Sequence, residues 1–394
     1  MNRFLMTLFL FVMTLALTSQ EISVAVFYEK KPQGVTITIQ KGVYLVYNDY
    51  DIIDTLQIGN NISIIKESDY LVYRHKTKAW ATNKNIRIVN NTDNAAFFIN
   101  YSGSIEPARC YEGWIKVKLH EYSVLAVNYV NLDAYVAAIV ERLSTGMASE
   151  EFFKAQAVMY RTFCLVNYAK HENEGFDLCD GTHCQIYNNK STNRIIINAS
   201  KKTSNLVMVD KYQNLLNPVS HLNSGGYTAP SEYVYGVSEP HLKSVKDEFA
   251  ENGNNYNWKI LIPAAEWQSY LINKGIKSAE NKLYKQLLIV QQDERLNEFK
   301  IDNETISLNT IRTDWGWKSS LFSMSLDKGV ITIIGKGNGT GVGLSVESAR
   351  TMASKGFIYD NILKFYYSDI IITNLNHMNI YSEMLQKVRK EKPL

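Results

Sequence analysis

From about Glu21 to Val130 the chain alternates apolar and polar positions in short runs. VTITIQ, GVYLVY, DTLQIG, NISII and IRIVNN read as strands, separated by Asn, Asp and Gly turns. WIKVKLHEYSVLAVNYV continues the alternation across a hairpin-like break at His120 and Glu121. At Asn131 the period changes. NLDAYVAAIV and EEFFKAQAVMYRTF predict helices over Leu132 to Val140 and Glu150 to Ala169. In the second, Phe153, Ala157, Tyr160 and Cys164 recur at helical spacing, while Lys154, Gln156 and Arg161 ride on the same helix. NLVMVDKYQNLLNPVSHLN returns to strand, and Ala264 to Lys274 and SVESARTMA are helical in pattern. Asn252 to Asn255 reads as a loop, and Gln291 to Lys300 as a solvated, charged surface. Strands, then helices, then strands predict an α+β fold and not an alternating βαβ one. The expected layout is a β-rich part over residues 21–130 packed on a mixed helix and strand core over 131–372, with a tail over 373–394.

Length and composition narrow this picture. The 394 residues are 45% hydrophobic, which suits a packed globular protein and not a disordered one. Basic and acidic residues (42 and 39) nearly cancel, so a dense basic field for nucleic acid is not expected. Arg3, the apolar run Phe4 to Leu17 and the small residues Ala16, Thr18 and Ser19 have the form of a secretory signal over residues 1–20. The run is shorter than the roughly 20 apolar residues a bilayer span needs, so export to the periplasm or envelope is expected in place of anchoring. No later stretch is long and apolar enough to span a membrane.

An exported chain with four cysteines could carry disulfides. Cys110 and Cys164 are isolated and read as buried thiols. Cys179, His183 and Cys184 fall close together, with His171 available as a fourth ligand, a donor set suited to structural zinc. His183 and Cys184 converge only if the segment turns, which Gly181 permits. A Cys179–Cys184 disulfide, or a reduced pair with His183 facing a cleft, are the competing readings. Ser224, Gly225, Gly226 and Tyr227 mark a backbone that turns tightly or approaches something closely. The run GKGNGTGVG fits a dinucleotide loop only loosely, and no βαβ unit surrounds it.

Taken in order, YSGSIE (Tyr101 to Glu106), VNLDAYVAAIV (Val130 to Val140), KAQAV with RTF (Lys154 to Phe163), LCDGTHCQIY (Leu178 to Tyr187), SGGYT (Ser224 to Thr228), HLKSVKD (His241 to Asp247) and GTGVGLS (Gly339 to Ser345) resemble the SpoIID/LytB family, named for the stage II sporulation protein D. FYYSDIII near the C-terminus also fits, so the resemblance covers most of the chain after the signal. It implies a lytic transglycosylase acting on cell-wall glycan stripped of peptide, cleaving between N-acetylmuramic acid and N-acetylglucosamine to leave a 1,6-anhydro end. One carboxyl group suffices: it protonates the glycosidic oxygen, then accepts the proton of the sugar's C6 hydroxyl as the ring closes. No carboxylate nucleophile is required, unlike the two-carboxylate hydrolases. By the same resemblance Arg161, Gln185, Ser224, Gly225, Gly226 and Tyr227 would serve a glycan groove, Arg161 orienting the acid or a sugar substituent. The competing reading of Arg161 is a buried ion pair, with Asp180 as partner. Glycan strands and other cell-wall proteins are the expected partners.

The chain departs from the family where chemistry is expected. The family's catalytic glutamate follows the AYV-type helix, and alignment without gaps from Tyr135 and Lys154 puts Leu143 in its place. Glu141 is the nearest carboxyl group. Two residues along a helix rotate a side chain by about 200°, and along a strand displace it by about 6–7 Å. A catalytic acid must come within about 3 Å of its oxygen. The family's GHGVG reads GTGVG here, with Thr340 for its histidine, and Val346 stands where a Gln is common. Two hypotheses follow: a lytic enzyme using a displaced acid such as Glu141, or a glycan-binding or scaffold protein that has lost catalysis.

Overall fold

A computed structural model describes residues 20–144, 146–280, 292 and 294–378. The signal-like segment up to Ser19, and the tail beyond Met378, lie outside the described residues.

The alternating runs form two sheets. Strands Glu21–Val26, Tyr44–Asn48, Asp51–Leu56, Ile86–Asn90, Trp114–His120 and Ser123–Asn131 join the short Leu178–Cys179 in a seven-stranded sheet. Gly34–Lys41, Asn61–Glu67, Tyr70–His75, Lys78–Thr82, Ala96–Tyr101 and Arg109–Glu112 make a six-stranded one. Their inward positions, among them Val35, Ile37, Ile62, Ile64, Val46 and Ile88, are fully buried, which is the period-two pattern expressed as packing. Asp54, on the edge strand of the first sheet, reaches across to the second. It accepts hydrogen bonds from Tyr73 Oη (2.8 Å) and Lys78 Nζ (2.7 Å) and pairs with His75 Nδ1 (2.6 Å). Burial opposes the charge of Asp54, yet the hydrogen bonds from Lys78, His75, Tyr73 and the Thr55 amide hold its pKa well below the usual carboxylate range.

The helical part comprises α1 (Leu132–Leu143), α2 (Glu150–Val166), α3 (Arg194–Lys202) and α4 (Glu232–Tyr235), then α5 (Ala264–Asn273), α6 (Leu308–Trp315), α7 (Val346–Ser354) and α8 (Tyr359–Tyr366). Asn131 caps α1 by accepting the Ala134 amide proton at 3.1 Å. Helix α2 buries more than its apolar stripe, since Gln156, Arg161 and Thr162 are buried too. It ends at Val166, short of the expected Ala169, and the chain turns toward His171. The two large sheets and helices α1–α3, α7 and α8 share one core, while described residues between 257 and 336 build a second around Trp258, Trp267, Trp317, Phe299 and Phe322. Here a three-stranded sheet (Asn257–Pro263, Val330–Lys336, Phe322–Asp327) packs with α5 and α6. No helix among the described residues is long and apolar enough to cross a membrane. The architecture is α+β, with a strand-built region up to Asn131 and helices mixed with short strands after it.

Candidate functional site: a Cys/His tetrad and a glycine-walled groove

Cys179 is held on the edge of the seven-stranded sheet, where Ala25 and Cys179 pair in a parallel register. The chain then turns, with the Cys184 amide donating to the Gly181 carbonyl at 3.1 Å. A Cβ at Gly181 would come within 2.6 Å of Glu29 Oε1, so glycine lets the turn pack closely on the Glu29 side chain. The turn swings His183 and Cys184 toward Cys179, and His171 completes the set. The four ligand atoms lie within 4.8 Å of one another. His171 Nε2 is 3.2 Å from His183 Nε2 and 3.5 Å from Cys184 Sγ, and Cys179 Sγ is 3.5 Å from His183 Nε2. Bond lengths of about 2.3 Å to sulfur and 2.0–2.1 Å to nitrogen give tetrahedral edges of about 3.3–3.8 Å. The donor set therefore fits a four-coordinate metal ion in both chemistry and spacing. Glu174 accepts from His171 Nδ1 at 2.7 Å and from the Tyr28 hydroxyl at 2.7 Å, which orients the imidazole so that Nε2 faces the other ligands. A hydrogen bond from the Cys179 thiol lowers the pKa of Cys184 and raises that of Cys179, which favours one thiolate and one thiol in the pair. All four cysteines are free and buried, with no disulfide joining Cys179 to Cys184.

The end of α1 is arranged differently. Glu141 directs its carboxylate at the start of α3, accepting from the Thr192 amide (2.8 Å), the Asn193 amide (3.0 Å), the Thr192 hydroxyl (3.0 Å) and the Ser191 hydroxyl. Burial opposes the charge, but the bonds from Ser191, Asn193 and Thr192 outweigh it and lower the pKa of Glu141. Leu143, the last residue of α1, is 36% exposed. Arg161 is fully buried and pairs with Asp133 Oδ1 at 2.8 Å, while also donating to the carbonyls of Ser200 and Leu206. Asp180, the partner expected from sequence, is instead paired with Arg109 at 2.7 Å. Gln185 is buried between helices, accepting from the Tyr135 hydroxyl and donating to the Tyr160 carbonyl. Arg161 and Gln185 are thus bound up in helix packing.

Ser224, Gly225, Gly226 and Tyr227 do line an open feature. Ser224 donates to Asp247 Oδ2 at 2.6 Å, and the Asp247 amide donates to the Gly226 carbonyl at 2.9 Å, so the buried Asp247 fixes the turn. Gly225 has φ 73° and lies against the Lys336 backbone, where a Cβ would come within 2.6 Å of the carbonyl. Gly226 faces open space. The resulting cleft, about 270 Å³, is bordered by Tyr227, Lys246, Glu248, Glu251, Tyr256 and Lys336. The GTGVG run backs this turn, with Gly339 against His221 and Gly341 against Arg295. His221 donates from Nδ1 to the Val342 carbonyl (3.0 Å), and burial together with Arg295 pushes its pKa down to about 3. The Thr340 hydroxyl accepts the Val342 amide at 3.3 Å, a contact internal to its own loop. Sequence reading missed His221 and Arg295. The histidine could have been noticed just ahead of SGGYT, but Arg295 falls in the stretch that reads as solvated.

An α+β protein with a four-donor Cys/His cluster after a buried helix, and a glycine-walled cleft farther along, is the class these features define. A family model described as "Stage II sporulation protein" (SpoIID) matches residues 120–209, the segment carrying α1, α2, the tetrad and α3. An uncharacterized protein of Brachyspira hyodysenteriae is 30% identical over 278 residues, covering 68% of this chain and 74% of that protein. Stage II sporulation protein D of Bacillus amyloliquefaciens is 27% identical over 279 residues, covering 66% of this chain and 80% of that protein. The amidase enhancer of Bacillus subtilis is 25% identical over 281 residues, which is 57% of this chain and 38% of that longer protein. The chain belongs to the SpoIID family.

Proposed function

We propose that this protein is exported to the bacterial envelope and holds cell-wall glycan in the Gly226–Tyr227 cleft without cleaving it. The relatives' names, sporulation protein D and amidase enhancer, support work at the wall. The cleft suits a sugar: Tyr227 and Tyr256 offer faces for stacking, and Lys246, Lys336, Glu248 and Glu251 offer partners for hydroxyl, amide and carboxylate groups. The lytic reaction needs a carboxyl group that starts protonated. The observation that carries the non-catalytic reading is the commitment of Glu141: four donors keep it ionised at the start of α3, while Leu143 fills the position of the acid. A lytic reading draws its support from Glu248 and Glu251, carboxyl groups that border the cleft beside Tyr227.

The two readings separate on incubation with peptide-free glycan strands, followed by mass spectrometry for anhydro-muramyl products. Retention of strands with no such product is expected. Product formation that disappears in Glu248→Gln or Glu251→Gln would establish the enzyme. The tetrad is proposed to hold a structural zinc through His171, Cys179, His183 and Cys184. Once bound, the ion would supply a closed tetrahedral centre fixing the Cys179–Gln185 turn, and no open position for chemistry. Elemental analysis of protein purified without chelator should give about one zinc per chain; a value near zero removes the proposal.

A further inference from the structure

The cleft has two walls of different origin. Ser224–Tyr227 runs into Ala229 of the larger core, whereas Tyr256, Leu321 and Lys336 lie in or beside the module with the tryptophan-rich core. One side chain bridges them. Arg295 is 6% exposed and donates from Nε to the Tyr227 carbonyl (2.7 Å), from Nη2 to the Ser224 carbonyl (2.8 Å) and from Nη1 to Ser320 Oγ (3.1 Å). Its neighbour Gln292 donates to the carbonyls of Ser320 (3.1 Å) and Phe322 (2.9 Å), which pins this segment to the module. Behind the guanidinium lies Gly341, where a Cβ would come within 2.6 Å of Cζ. The glycine block is therefore shaped around the arginine as well as around the turn.

A packing role alone does not explain a charged residue here. None of the three acceptors is a carboxylate, and burial followed by the nearby Arg312 charge lowers the pKa of Arg295 to about 10. Burying an uncompensated charge is unfavourable. What the guanidinium supplies is a planar fork that reaches three acceptors in fixed directions, which neither an aliphatic chain nor a lysine can do. Two of those acceptors are the carbonyls that flank Gly225 and Gly226.

We infer that Arg295 is a positioning residue that fixes the Ser224–Tyr227 rim against the tryptophan-rich module and so sets the width of the glycan cleft. The inference rests on the glycan reading above for its ligand, but the ordering of the rim can be measured without any glycan.

The test uses the full chain and compares wild type, Arg295→Ala, Arg295→Lys and Gly341→Ala, the last of which displaces the guanidinium without deleting it. Amide hydrogen exchange at Gly226–Thr228 reads the rim, retention on peptide-free glycan strands reads the ligand, and near-ultraviolet circular dichroism reads the tryptophan core. Arg295→Ala is expected to lose protection at Gly226–Thr228 and to weaken retention about tenfold or more, since a binding rim loosened by about an ångström loses most of its precision. Millimolar guanidinium should restore both in the Ala variant and leave wild type unchanged. Arg295→Lys should not restore them, and Gly341→Ala should resemble Arg295→Ala with an intact tryptophan signal. Unchanged exchange and retention in Arg295→Ala would overturn the inference. So would a loss that guanidinium fails to restore and that accompanies collapse of the tryptophan signal, because the residue would then only support the fold. Absence of retention by wild type would sink the glycan reading alone, leaving the exchange data to decide the role of Arg295.

Discussion

The turn after α2 and the end of α1 lie in the same matched segment, yet they differ in what they retain. At the turn, two thiols and two imidazoles converge with tetrahedral spacing, and Glu174 orients one of them. At the end of α1, the position where the resemblance expects an acid holds Leu143, 36% exposed, and Glu141 is engaged with Ser191, Thr192 and Asn193. The lesson concerns tolerance. A ligand set that closes a loop is tied to stability, since losing one member disturbs the fold. On the proposed non-catalytic reading, a proton donor that supports no neighbour can be replaced while the scaffold stands.

The sharpest way to break this contrast is to return the acid. Leu143→Glu combined with Thr340→His should raise release of anhydro-muramyl ends from peptide-free strands by about 10²–10⁴-fold over wild type, the range of a positioned general acid. No gain, with strands still retained, would mean that more than the donor has been lost. Next in size is the tetrad: Cys184→Ser should abolish zinc stoichiometry and destabilise the protein by about 3–5 kcal/mol, comparable to losing a native cross-link. Chelator should lower the melting temperature of wild type but not of the variant. Asp54→Ala serves as a control remote from both regions. Leaving three side-chain donors without their acceptor should cost about 3 kcal/mol in urea unfolding and leave glycan retention unchanged.

The smallest effect is the most informative about α1. Glu141→Gln should cost about 1–2 kcal/mol, in the range of a helix-start carboxylate losing its amide partners, and should not alter retention. If any turnover is found and this variant abolishes it, the displaced-acid reading returns. Asp54 and Glu141 both have folded pKa values below their unfolded ones. The unfolded state then binds more protons as acid is added, so their stabilisation is present at neutral pH and is lost as pH falls below the ordinary carboxylate range. Urea midpoints of Glu141→Gln and wild type should therefore converge in acid. A gap that widens instead would contradict the assignment.

Much of this was legible beforehand, for local reasons. Alternation at Val35, Ile37 and Ile39 declares a strand whatever its partner, and the spacing of Phe153, Ala157 and Tyr160 declares the buried face of α2. Gly181 announced the turn that gathers His183 and Cys184. What stayed hidden depends on distant partners. Arg161 pairs with Asp133 because α1 packs on α2, and nothing local favours Asp133 over Asp180. The Gln291–Lys300 stretch looks solvated because its own composition is charged, yet Arg295 and Phe299 are buried by contacts set far away in the chain. Local polarity reports the unfolded preference of a segment, whereas burial is decided by what arrives to cover it.

The register of the first strand has a consequence for the order of assembly. Glu21–Val26 is flanked by Ser123–Asn131 on one side and Leu178–Cys179 on the other, so it has no neighbour available among the strands that immediately follow it. A chain emerging N-terminus first must keep this apolar ribbon unpaired until much of the remainder has appeared, a long wait of the kind that slows folding and invites aggregation. Only then can Ala25 receive Cys179, which makes closure of the sheet the step that delivers the first thiol to its companions.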